Sequence, residues 1–190
     1  MDKQSLEKIK ESFEDRFRSL RNDFKRAYYE ISNLQTSPFP IIMYSLSRLD
    51  YFSSLWAGWN ETSKRGSDNR TQTQRMVGFM VKFLNYPVFE SGLVVNIFRH
   101  KLMHTSEPRI LNKKTGEIYS WVVSPKQNSH MKTIIVHNIH FLNFGVGNFI
   151  DDLYNAIFDN SKGYFSQLSH DVNLQKKYIQ CINELNTYSL

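Results

Sequence analysis

Cysteine is nearly absent: the 190-residue chain holds one, Cys181. One thiol forms no internal disulfide and supplies no CxxC metal pair, so Cys181 is expected to serve as a small buried apolar side chain. Long apolar runs are absent too. No stretch reaches the ~18 residues a membrane-spanning helix needs. The opening Met1-Asp2-Lys3-Gln4-Ser5 leads into charged sequence without the apolar core of a signal peptide. These absences read as a cytoplasmic chain with no membrane partner. No internal repeat, low-complexity segment or linker between two cores is found, which leaves one domain over residues 1–190. No helix-turn-helix or zinc-finger pattern is present, which disfavours sequence-specific DNA binding. What remains is core material. Hydrophobic residues make up 41% and aromatics 14%, and a chain of this length buries about two-thirds of its unfolded surface.

Positive charge is unevenly spread. The formal net charge is +6, yet residues 64–114 alone carry ten Lys/Arg against Asp68, Glu90 and Glu107, or +7. The other 139 residues hold 14 basic and 15 acidic side chains, or −1. A segment of this kind attracts phosphates, or is simply a solvated basic surface.

Along residues 4–34 apolar side chains recur in steps of three and four: Leu6, Ile9, Phe13, Phe17, Leu20, Phe24, Tyr28, Ile31 and Leu34. This spacing predicts a long amphipathic helix with one apolar stripe, packed along the protein's own bundle or, alternatively, in a coiled-coil dimer. Thr36-Ser37-Pro38-Phe39-Pro40 predicts a break and a new start, with Ser37 as cap and Pro38 in the first helical position. A second helix over about 41–59 is crowded with aromatics and expected to be central; a buried Asp50 there needs a partner. A polar loop covers 60–70. Helices follow over about 71–84 and 88–105. A β-hairpin is predicted over 109–123 with its turn at Lys113-Lys114-Thr115-Gly116, and Met131–Val136 adds a third strand. A helix from Asn138 or His140 through Phe158 and a last one over about 164–185 complete the chain. The fold class is mainly α: an antiparallel helical bundle with a β-hairpin or three-stranded insertion at about 109–136.

The apolar run Leu93-Val94-Val95-Asn96-Ile97-Phe98 ends in Arg99-His100-Lys101-Leu102-Met103-His104, and Pro108 stops a helix near Glu107. His100 and His104, four apart, share a helical face, whereas Arg99 and His104 are separated by about 140°. Convergence of those two needs the length of the Arg side chain, a distorted last turn or a second protomer. Three readings stand. Cations on the last turns complement the negative helix end, with a purely structural role. His100 and His104 form a metal pair, although Glu is missing at position 101 for an HExxH helix and no third ligand is evident; His137 and His140 are a looser pair. Or the cluster works on RNA phosphates. Imidazole exchanges protons near neutral pH, and guanidinium offers a fixed fork of donors to a phosphate. Cleavage by the RNA's own 2′-OH needs a base, an acid and stabilised phosphorane charge, and no metal.

Arg–polar–x–x–x–His at the end of an apolar helix, in an all-α chain with a small structured insertion behind it, resembles the HEPN superfamily (higher eukaryotes and prokaryotes nucleotide-binding domain). The resemblance covers residues 4–158. It maps the family's motif onto Arg99, His100 and His104, although His100 stands where Asn is most common. Ser47-Arg48-Leu49-Asp50-Tyr51-Phe52 followed by Gly58 is similar to the family's second core helix, which makes Asp50 a supporting residue. Many members are metal-independent endoribonucleases of toxin–antitoxin and phage-defence systems. They act without a cofactor as dimers whose two motifs flank one cleft; others are silent interaction modules. The resemblance therefore implies RNA, a second copy, and an antitoxin or nucleotidyltransferase as partners. It casts His104 as general base or acid, Arg99 as the phosphate ligand and His100 as an orienting group. Lys64, Arg65, Arg70, Lys101, Lys113 and Lys114 would extend the backbone contacts. Tyr119 and Trp121 would stack on bases, unless they belong to the core.

Overall fold

The computed structural model describes residues 3–32, 38–58, 70–97, 109–126 and 128–186. These residues form a mainly helical protein with a small mixed sheet. The helices are α1 (Lys3–Ser32), α2 (Phe39–Ala57), α3 (Gln72–Phe79), α4 (Val88–Val94), α5 (Val146–Phe158), α6 (Tyr164–His170) and α7 (Val172–Asn186).

From Leu6 to Phe24 the α1 stripe packs within its own chain. Leu6, Phe17, Leu20 and Phe24 are buried. Phe17 meets Tyr154 and Phe158 of α5 edge-on, Phe13 contacts Phe52 of α2, and Arg21 pairs with Asp151 at 2.9 Å. As its aromatic crowding predicts, α2 is central: Ile42, Leu46, Leu49, Phe52 and Leu55 are all buried. Its start differs from expectation. Pro38 takes the N-cap position and Pro40 lies in the first turn, while Ser37 lies outside the described residues. A proline cap offers no side-chain acceptor, so the missing amide of Pro40 is what suits this terminus. At the other end Gly58 (φ 87°) closes the helix by donating to Ser54 O at 2.8 Å. Thr71 and Gln74 cap α3 reciprocally. That helix continues into a wider π-helical turn, Met80–Leu84, and stops at left-handed Asn85.

Four strands make the sheet: β1 (Ile110–Leu111), β2 (Ile118–Ser124), β3 (Lys132–Val136) and β4 (Ile139–Gly145), in the order β1-β2-β4-β3. The β2–β4 pair is parallel and the other two pairs are antiparallel. The insertion is thus larger than a hairpin or three strands and reaches Gly145. Residues 139–145, expected to begin a helix, are its central strand. His137 and Asn138 both have φ above zero (48° and 62°) and close the β3–β4 hairpin, pairing Val136 with Ile139. A two-residue turn of this kind needs left-handed backbone at both positions, which His and Asn tolerate better than branched residues. Ile139, Phe141 and Phe144 then favour the pleated surface, and the helix waits until Val146.

The last predicted helix is also two. Asp171 breaks it with extended backbone (φ −97°, ψ 103°) and its Oδ1 accepts the Asn173 and Leu174 amides at 2.9 and 3.0 Å. That satisfies donors at the start of α7 that a continuous helix would bond internally. Cys181 is fully buried, as expected.

Candidate functional site: the cleft at Tyr86, His130 and Asp152

Helix α4 and the helical residues 95–97 lead into the Arg99 cluster. Val94, Val95 and Ile97 are fully buried, while Asn96 is exposed and its Nδ2 donates to Gly92 O at 2.8 Å. Arg99, His100, Lys101 and His104 lie outside the described residues, as do Lys64 and Arg65. Asp50 lies on α2 with Oδ2 accepting from Gln72 Nε2 at 2.6 Å and Oδ1 4.0 Å from Nη2 of the buried Arg75. Its carbonyl oxygen also accepts the Ser53 and Ser54 hydroxyls. Asp50 therefore ties α2 to α3. The Arg70 guanidinium stacks 4.2 Å over the Trp56 ring on the same helix pair. Lys113 and Lys114 are exposed in the β1–β2 turn, where the Lys114 amide donates to Asn112 Oδ1 at 3.0 Å. Asp50 and Arg70 thus belong to the α2–α3 pair and the two lysines to the sheet.

Tyr119 is a core residue, 7% exposed, with its hydroxyl donating to Glu117 Oε2 at 2.8 Å and its ring against His140 and Phe89. Trp121 is half-buried against Phe39. His137 and His140 fall in the hairpin turn and on β4.

The best-built polar site among the described residues was not apparent in the sequence. Tyr86 follows the left-handed Asn85 that ends the π-turn. His130 sits in the tight turn before β3, next to left-handed Met131 (φ 61°). Asp152 projects from the second turn of α5. The Gly145 amide donates to His130 Nδ1 at 2.9 Å. With Nδ1 an acceptor, the neutral ring carries its proton on Nε2, which therefore donates to the Tyr86 hydroxyl at 2.8 Å. Tyr86 in turn donates to Asp152 Oδ2 at 2.7 Å. The result is a directed chain, from a backbone amide through imidazole and phenol to a carboxylate.

Electrostatics agree with that direction. Burial pushes His130 down to about 4, and a second ring proton would face the Gly145 N–H. The Asp152 carboxylate, 4.0 Å from Nε2, favours the cation, but the side chain is only 8% exposed and desolvation prevails. Burial, then the Asp152 charge and hydrogen bond, raises the Tyr86 phenol well above its ordinary value. Burial raises Asp152, the Tyr86 hydrogen bond opposes this, and the neighbouring Asp151 adds to the rise. His130 is accordingly no base near neutral pH: both ring nitrogens are engaged. The chemically available end is Asp152, whose side chain is 42% exposed.

No family model, curated protein or solved structure matches this chain. Its site is therefore read from geometry alone. Asp152 opens onto a shallow, open cleft of about 590 Å³, lined also by Asn85, Asn128, Lys132 and Asn148. Among the described residues no group of three His, Cys, Asp or Glu side chains is placed to hold a metal ion, and no helix is long and apolar enough to cross a membrane. Tyr86 and His130 are 44 positions apart, and Tyr86 and Asp152 are 66 apart. No local spacing advertises such a cluster; the only hint was three polar residues adjoining apolar runs.

Proposed function

We propose that this chain is an RNA-binding protein that cleaves RNA without a metal ion, acting as a dimer on a HEPN-like helical framework. The observation that carries the reading is the burial of Val94, Val95 and Ile97. The helix is fixed in the core as far as Ile97, two residues before Arg99 in sequence, and catalytic geometry requires a rigid element of this kind. The +7 charge of residues 64–114 supports a phosphate-rich partner.

In this mechanism one imidazole, His104, removes the proton from a ribose 2′-OH. The 2′-oxygen attacks the adjacent phosphorus, and the bond from phosphorus to the 5′-oxygen breaks. The departing oxygen takes a proton from a general acid, the His104 of the second copy. Arg99 stabilises the charge on the phosphorane oxygens, and His100 orients the phosphate. The products are a 2′,3′-cyclic phosphate and a 5′-OH. Two copies of the motif facing one cleft also bring together Arg99 and His104 from different chains, which a single straight helix separates by about 140°. Toxin or phage-defence roles fit such an activity.

A second reading, a silent interaction module, is favoured by the exposed Ile134, Ile135 and Val136 on β3, an edge strand among the described residues. Arg99→Ala and His104→Ala separate the two. In a nuclease each lowers cleavage by about 100-fold or more with unfolding unchanged. Loss of stability in both variants, with no wild-type cleavage, favours the module.

A further inference from the structure

We propose that the cleft over Asp152 is a recognition site for a guanine base. The proposal rests on the RNA reading only for the source of that base.

Three features point there. Asp152 Oδ2 is held by the Tyr86 hydroxyl, and Tyr86 is held by His130, whose ring it meets edge-on at 5.4 Å. This anchors one carboxylate oxygen before any ligand arrives. Such preorganisation serves recognition, because part of the rotational freedom of the acceptor is already lost. Oδ1 has no hydrogen-bond partner among the described residues, and the side chain is 42% exposed into the cleft. A partly desolvated, oriented carboxylate calls for two parallel donors.

Among the bases only guanine presents them, on N1–H and the 2-amino group. Adenine and cytosine set a ring-nitrogen acceptor beside one amino group, and uracil flanks its single N–H with two carbonyl oxygens. Each would turn an acceptor lone pair toward Asp152. Other lining residues add to the match. Asn85, Asn128 and Lys132 supply donors for the guanine O6 and N7 acceptors, and the exposed Pro87 offers apolar surface to a ring face. A guanidinium group from a protein partner has the same two donors. Lys132 in the same cleft and the net charge of +6 disfavour that cation.

The test is a titration of the full chain with GMP, IMP, AMP and arginine amide, followed through the ring NMR signals of Tyr86 and His130. GMP shifts both signals saturably. IMP, which lacks the 2-amino donor, binds about tenfold more weakly or worse, and AMP does not reach the site. Asp152→Asn still accepts from Tyr86 but loses one ligand acceptor. It weakens GMP by about tenfold or more with its thermal unfolding unchanged. The series of ligands on the wild-type protein needs no variant, so a misfolded Asp152→Asn leaves the test intact. Unmoved signals at millimolar GMP, or equal binding of GMP, IMP and AMP, overturn the proposal. Binding of arginine amide in preference to GMP overturns it in favour of a protein partner. A uridine-rich RNA with one unpaired guanine competes with GMP if the base is read within RNA; failure to compete overturns that source and assigns the cleft to a free guanine nucleotide. Cleavage of RNA is a separate readout. GMP binding without cleavage contradicts only the nuclease reading, and cleavage without GMP binding contradicts only this one.

Discussion

Acidification from pH 7.5 to 4.5 tests the His130 environment directly. The folded protein holds the ring at about 4, against an ordinary value of 6.5. Because the folded state disfavours the cation, the unfolded chain binds the proton first. The stabilisation is therefore fully present above pH 6.5 and is lost as pH falls from 6.5 toward 4. Over the chosen interval the loss is about 2.5 kcal/mol, approaching about 3 kcal/mol at the acid limit. For a domain of this size that lowers Tm by about 5–10 °C. Burial raises the Asp152 carboxyl, which contributes with the opposite slope, so the measurement is the difference between wild type and His130→Gln. At pH 7.5 the variant is less stable by about 1–3 kcal/mol, since the Gly145 amide and the Tyr86 hydroxyl lose a fitted partner. At pH 4.5 that gap has narrowed by about 2.5 kcal/mol. Urea unfolding of both proteins at several pH values reads it. A gap that stays constant, or a His130 ring signal titrating near 6.5, refutes the reasoning.

Other substitutions follow from contacts. Gly147→Ala places a Cβ 2.8 Å from the Phe24 ring and 3.0 Å from the Pro125 carbonyl, and urea unfolding should show a loss of about 1–3 kcal/mol. Arg75→Ala empties a site only 1% exposed and strips the Asp50 carboxylate of its cation; a cost of about 3 kcal/mol is expected, and one near zero contradicts the tie between α2 and α3. Asn138→Val forces a branched side chain into backbone at φ 62° and should lower stability by about 1–3 kcal/mol, whereas Asn138→Gly should be neutral or stabilising by thermal unfolding.

Much of the helical frame was legible because its signals are local. The α1 stripe, the proline-rich entry to α2 and the start of α3 at Thr71 each follow from spacing or from one residue's backbone preference. The Lys113–Gly116 turn was legible for the same reason, with Gly116 supplying φ 76°. Strand β4 was not. It lies between β2 and β3, and from Leu142 to Gly145 every residue is buried. Burial on both faces erases the alternation that identifies a strand, and a His-Asn turn lacks the glycine that usually marks a hairpin. The break at Asp171 was hidden because apolar residues continue on both sides of it; only the capping habit of aspartate pointed to it. The Asp152 cleft was invisible for a third reason. Its members come from three separate elements, and their roles follow from which hydrogen-bond donor meets which acceptor. Asp50 ties α2 to α3 and Arg70 stacks on Trp56, while the Arg99 cluster they were read as serving lies outside the described residues.

The central claim, metal-free RNA cleavage through Arg99, His100 and His104, is met most directly by one assay. Wild type and His104→Ala, matched for fold and for association state, are incubated with a range of RNAs in excess EDTA, and the product ends are analysed. The account predicts cleavage by the wild type alone, leaving 2′,3′-cyclic phosphate and 5′-OH ends. Equal cleavage by the variant, or none by the wild type on any RNA, contradicts it.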